Sequence, residues 1–163
     1  MLGVDPGTTR AGYGVVERPE VGASRLIECG VIRPPQKVPL AAKLGVLFEE
    51  LTDLIARHRP DALAVESVFV AYNPRSALVL GHARGVILLA GARAGLVVAE
   101  YAAREVKAAV AGTGSATKGQ IQRMVAQLLR LKSAPQPADA ADGVAIALTH
   151  CLRSRVMRRA VVG

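Results

Sequence analysis

Four acidic residues sit in company that does not suit a charge. Asp5 closes the apolar start Leu2-Gly3-Val4, and Glu66 closes the run Asp61–Glu66 (DALAVE). Asp139 and Asp142 stand in the small-residue segment PADAADGVAIAL. Glu49, Glu50 and Asp53, by contrast, fall on the polar side of a helical pattern and read as solvated. Asp139 and Asp142 are three residues apart, so a helix puts both on one side. Two like charges at that spacing repel by about 0.2–0.5 kcal/mol. A helix N-terminus relieves part of this, because its dipole favours anions, and a divalent cation relieves more. If Asp5 and Glu66 lie at the ends of neighbouring strands and the last helix packs across them, four carboxylates meet. An all-oxygen set suits Mg²⁺ or Mn²⁺ better than zinc. Two such ions held about 3.5–4 Å apart activate a water and stabilise the leaving oxygen in phosphodiester cleavage. Each acid also has an ordinary reading: Asp5 as the cap of the turn at Gly7-Thr8, Glu66 as the partner of an arginine, Asp139 as a helix N-cap.

The elements that must position these acids can be read from periodicity. Met1–Asp5, Gly12–Arg18 and Arg25–Arg33 read as three strands, close enough in sequence for an antiparallel meander. Pro34, Pro35 and Pro39 break the pattern. From Leu40 to His58 apolar residues recur at helical spacing, and Pro60 ends them. Asp61–Glu66 reads as a central strand. Residues 74–94 read as a helix apolar on more than one side, which marks an element buried twice or used at a subunit contact. Gly95–Ala99 reads as a strand, Ala102–Val110 as a short helix and Gly112–Ser115 as a turn. Lys118–Leu131 is an amphipathic helix, and a last helix covers about 138–153. This order implies an α/β fold, a mixed five-stranded sheet antiparallel in its first three strands with helices on both faces. Residues 1–153 then form one domain, and 154–163 a basic C-terminal tail that composition does not commit to packed structure.

The totals narrow the function classes. A chain of 163 residues, 51% of them hydrophobic, builds a single packed core. Lysine and arginine number 21 against 13 acids, a net charge of +8. A small basic globule favours polyanions, nucleic acid first and anionic membrane second. Aromatic residues make up only 3%, which argues against a platform for stacking single-stranded bases; contact with a duplex backbone needs none. No apolar run approaches the roughly 18 residues of a membrane span, and no secretory pattern opens the chain. Cys29 and Cys151 fall in no metal-spaced motif and read as free thiols. A soluble cytoplasmic protein is expected.

Four segments carry a more specific signal: GVDPGTTRAGYGVV, AVESVFVAYNPRSALVLGHARG, EYAAREVKAAVAGTGSATKGQIQRMV and ADAADGVAIALTHC. In this order and spacing, from Leu2 to Cys151, the chain resembles the RuvC family of bacterial Holliday junction resolvases. The resemblance implies an RNase H-like fold, a homodimer and a Mg²⁺-dependent endodeoxyribonuclease, with Mn²⁺ as a substitute and two ions per site. It implies symmetric paired nicks in four-way junction DNA that leave 5′-phosphate and 3′-hydroxyl ends, in recombination and repair. A branch-migration motor complex as a partner is implied by the resemblance alone. By position, the family's four acidic metal ligands fall on Asp5, Glu66, Asp139 and Asp142, and its important lysines on Lys107 and Lys118. Phe69, in ESVFVAYN, matches an aromatic that wedges against junction bases. Arg10 joins Lys107, Lys118 and Phe69 as an expected DNA contact. From the residues alone, Lys107 and Lys118 flank the Gly112–Ser115 turn, where they either direct cations at one phosphate region or are simply solvated.

Three rival readings use the same residues. Asp-x-Gly-Thr-Thr also resembles the first phosphate turn of the sugar-kinase, actin and heat-shock chaperone superfamily. Those proteins close two lobes around ATP, whereas this chain has length for one, and no second Asp-x-Gly turn follows Glu66. A basic junction-binding protein without chemistry would tolerate neutralisation of all four acids. A related RNase H-like nuclease would act on RNA or on an RNA–DNA hybrid.

Overall fold

Leu2 and Val4 alternate with Gly3 and Asp5, and Leu63 and Val65 alternate with Ala64 and Glu66, so each strand offers a different set of side chains to each face. In a computed structural model that describes residues 1–67 and 73–161, with side chains through residue 154, the two strands are neighbours. β1 (Leu2–Asp5) and β4 (Ala62–Ser67) run parallel, with Leu2 beside Leu63 and Val4 beside Val65. β2 (Ala11–Glu17) and β3 (Arg25–Ile32) extend the sheet antiparallel on the other side of β1, and β5 (Val97–Ala102) pairs parallel with β4. The order is β3-β2-β1-β4-β5. This is the mixed five-stranded sheet expected from the sequence.

Parallel neighbours need long crossovers. α1 (Leu40–His58) lies in the connection from the meander to β4, and α2 (Pro74–Arg93) in that from β4 to β5. Both cover one face, where Leu47, Leu51, Leu54 and Ile87 bury Leu2, Val4, Leu63 and Val65. α3 (Ala103–Ala111), α4 (Lys118–Leu128) and α5 (Ala138–Val161) belong to the other face. There Val106, Val110, Ile121, Val125, Val144, Ile146 and Leu148 pack with Val16 and Ala64. A polar clamp ties α1 to the meander. Tyr13 donates to Glu28 Oε1 at 2.7 Å, Arg57 donates to the same oxygen at 2.8 Å, and His58 Nε2 lies 2.8 Å from Glu28 Oε2.

Three elements differ from the periodicity. The fifth strand begins at Val97, not at Gly95, because residues 94–96 still belong to the end of α2. Gly95 takes φ +68 and Leu96 N–H donates to the Gly91 carbonyl, the six-to-one bond of a helix terminator. The strand then runs on to Ala102, since β4 supplies partners as far as Ser67. α4 stops at Leu128, where Leu131 N–H bonds back to Ala126 and Arg130 takes φ 54. α5 continues to Val161 rather than ending near Arg153. Arginine, methionine and alanine are good helix formers, and a run of positive charge does not stop a helix. Among the described residues no helix is long and apolar enough to cross a membrane.

Candidate active site

Register brings the first two acids together. Val4 pairs with Val65, so the next step along the parallel strands sets Asp5 beside Glu66. Gly3 faces Gly143 and Ala147 of α5, and Ala64 belongs to the core beneath that helix. Alternation then turns Asp5 and Glu66 to the α5 side as well.

Glycines decide how close α5 comes. A Cβ on Gly12, the antiparallel partner of Asp5, would overlap the carbonyl oxygen of Asp139. A Cβ on Gly3 would overlap the Gly143 carbonyl, and one on Gly143 would stand 2.5 Å from Tyr13 Cα. Helix backbone therefore lies directly on sheet backbone, which no other residue type permits. The first turn of α5 is seated over the ends of β1 and β2. Asp139 lies inside that turn, because the helix starts at Ala138, so the N-cap reading of Asp139 does not hold. Asp142 follows one turn later on the same side.

The charges answer one another. Asp5 is mostly buried, and its carboxyl is pushed up to about 7. Burial is the main cause, followed by the negative charges of Glu66 and Asp142; Lys118 works in the opposite direction, and Asp139 adds a smaller push upward. Burial and Asp142 also raise Glu66, against Lys107 and Lys118. The lysine itself is held protonated, chiefly by its hydrogen bond to Asp142. Lys118 Nζ stands 2.7 Å from Asp142 Oδ2, and Arg10 Nη1 stands 3.7 Å from Asp139 Oδ2. Asp5, Glu66, Asp139 and Asp142 thus share one electrostatic pocket with Lys118, Lys107 and Arg10 at its edge. Among the described residues, however, no three Asp, Glu, His or Cys side chains stand close enough together to hold an ion as they are. Phe69 lies outside the described residues.

A family model described as crossover junction endodeoxyribonuclease RuvC matches residues 1–150. The chain belongs to the RuvC family. A protein of that description from Azorhizobium caulinodans is 49% identical over 152 residues, covering 92% of this chain and 88% of that protein. One from Maricaulis maris is 50% identical over 157 residues, covering 95% and 92%. Among solved structures, Thermus thermophilus RuvC is 37% identical with a TM-score of 0.88, covering 96% of both chains. The T. thermophilus protein in complex with Holliday junction substrate gives 37% and 0.89, covering 95% of this chain and 94% of that one. The yeast mitochondrial Holliday junction resolvase, at 12% identity and a TM-score of 0.65, shares the fold alone. The fold is the RNase H-like one. The match takes in the VDPGTT turn together with the rest of residues 1–150, so the ATP-binding reading of that turn is set aside.

The family resemblance singles out the acids but says nothing of what brings β1, β2 and α5 so close together. Gly3, Gly12 and Gly143 do that, and the sequence carries a signal for two of them. Glycines inside strand patterns, as in LGVD and AGYGVVE, mark close backbone approach. The ion pairs Lys118–Asp142 and Arg10–Asp139 link residues more than twenty and more than a hundred positions apart, and no local pattern announces them.

Proposed function

We propose that the protein resolves Holliday junctions: as a homodimer it nicks two opposed strands of a four-way DNA junction, with Mg²⁺ as cofactor and Mn²⁺ as a substitute. The carrying observation is that Glu66 on β4 and Asp139 and Asp142 on α5 all act on the charge of Asp5 at the end of β1, in a RuvC-family chain. The related T. thermophilus protein forms a complex with Holliday junction substrate.

The donor set fits hard divalent ions, being all oxygen and short of positive charge. The elevated carboxyl of Asp5 points the same way, since its anion is costly until a cation joins it. Asp5, Glu66, Asp139 and Asp142 would hold two ions. Such ions, when bound, supply an ionised water and a counter-charge for the departing 3′ oxygen, so that 5′-phosphate and 3′-hydroxyl ends result. The chain's own residues do the rest. Asp5 and Glu66, fixed on two hydrogen-bonded strands, give the pocket a rigid floor. Asp139 and Asp142, fixed by the first turns of α5, form its side. Lys118 sits at the first position of α4, beside the exposed Gly112–Ser115 turn, and offsets charge on the scissile phosphate. Lys107 acts beside it, and Arg10 and Phe69 extend the contact with DNA.

A two-fold dimer presents one such pocket to each of two strands. Its contact is α2, where Leu78 and Leu89 are 63% and 52% exposed. They border an apolar groove lined also by Leu44, His82 and Val86. Gly81 and Gly85 have open space where a side chain would be, and each weakens the helix by about 1 kcal/mol unless a close neighbour compensates. Association with a branch-migration motor is what the family resemblance implies as a further partner. The test is a set of parallel assays on a four-way junction, an RNA–DNA hybrid and a linear duplex, with and without Mg²⁺. Paired nicks in the junction that require the metal are expected. Preferential cutting of the hybrid would make the protein an RNase H-type nuclease instead.

A further inference from the structure

Lys118 contacts one acid of the pocket and acts on the other three through its charge. Its ammonium is hydrogen-bonded to Asp142, and its charge acts on Asp5 and Glu66 and is in turn favoured by Asp139. The ammonium takes an oxygen of Asp142 that a bound cation would use, and its charge acts where a cation's would. We propose that Lys118 is a built-in competitor of the metal ion, so that the DNA-free protein binds metal weakly until junction phosphate draws the lysine away. The inference rests on the metal-dependent reading above and adds an order to it, in which DNA and metal load together.

Two features of the structure support the exchange. The contact at 2.7 Å commits Asp142 Oδ2, and an ion on that oxygen would have to share it with an ammonium of the same sign. The lysine is also free to leave. Its side chain is 58% exposed, it begins a helix after an exposed turn, and an exposed pair of this kind is weak. A phosphate at the turn offers Lys118 a better partner at the same time as it brings further oxygen ligands for an ion. Lys107 is the comparison within the molecule: it acts on Glu66 but makes no salt bridge among the described residues.

The experiment titrates Mn²⁺ into DNA-free protein at pH 8, read by electron paramagnetic resonance of free Mn²⁺, for wild type, Lys118→Ala, Lys107→Ala and Asp5→Asn. Lys118→Ala is expected to bind Mn²⁺ about threefold to tenfold more tightly than wild type, Lys107→Ala less than twofold. Binding lost in Asp5→Asn identifies the pocket as the site. A second arm measures junction affinity in EDTA. Asp142→Asn, which releases the lysine, is expected to bind the junction severalfold more tightly than Asp139→Asn, and the double variant Asp142→Asn/Lys118→Ala to lose that gain. Unchanged or weaker Mn²⁺ binding in Lys118→Ala, or an equal gain in Lys107→Ala, overturns the competitor role while leaving the metal pocket intact. Mn²⁺ binding that survives Asp5→Asn overturns the pocket itself and this inference with it.

Discussion

Replacing Asp5 with asparagine should make the protein more stable and inactive at once. In the metal-free state the Asp5 carboxyl, ordinarily near 3.8, is pushed up to about 7 by burial and by the neighbouring acids. Between those values the folded protein binds a proton more readily than the unfolded chain does. The contribution of Asp5 to stability therefore falls as pH rises through this window and is at its least favourable above pH 7. At 1.36 kcal/mol per pKa unit, holding the anion at pH 8 costs the fold about 4 kcal/mol. Asparagine removes the charge but still seats a polar amide there, so a gain of about 2–4 kcal/mol is expected. For a domain of this size that is a rise in Tm of about 4–16 °C. Calorimetry of wild type and Asp5→Asn in EDTA at pH 8 and pH 4.5 tests the claim. The gain should be large at pH 8 and small at pH 4.5, where wild-type Asp5 is already neutral in the fold. Saturating Mg²⁺ at pH 8 should narrow the gap, because it stabilises only the protein that binds it. Junction cleavage should be lost in the variant, with junction binding kept at moderate salt. An Asp5→Asn protein no more stable than wild type at pH 8, or stabilised equally at both pH values, refutes the crowding of charge around Asp5.

The glycine contact predicts that Gly12→Ala, whose methyl would overlap the Asp139 carbonyl, costs about 1–3 kcal/mol in chemical denaturation and lowers cleavage more than junction binding. Gly45→Ala, on an exposed face of α1 with nothing near its Cβ position, should instead add about 0.5–1 kcal/mol and leave cleavage alone. Lys118→Ala should reduce cleavage and make the slope of log affinity against log salt shallower by about one, measured by fluorescence anisotropy with a labelled junction. An unchanged slope with unchanged cleavage would make Lys118 a bystander. Leu78→Glu, in the exposed apolar groove of α2, should shift sedimentation from dimer to monomer and abolish paired nicking; a variant that stays dimeric moves the subunit contact elsewhere.

Much of the fold was legible because its signals are local. Strand alternation in LGVD and DALAVE and the helical spacing from Leu40 to His58 are set by residues within a few positions of one another. Charges in apolar runs exposed the four acids for the same reason. What escaped depends on contacts between distant segments. Gly95 looked like the start of a strand, yet the carbonyl of Gly91 claims the N–H of Leu96 and keeps this stretch in the helix terminus. The seating of α5 on the sheet depends on Gly12 meeting Asp139, a contact across more than a hundred residues. The place of Lys118 beside the Gly112–Ser115 turn is legible in the sequence, but its contact with Asp142 is made only by the fold.

The central claim is that side chains from both ends of the chain form one pocket for divalent ions. Anomalous diffraction from crystals soaked in Mn²⁺ with bound junction tests it most directly. Manganese held by Asp5, Glu66, Asp139 and Asp142 at about 2.1 Å, with Lys118 turned to a phosphate, is the predicted result. Manganese bound elsewhere, or any of these four carboxylates directed away from it, would contradict the account.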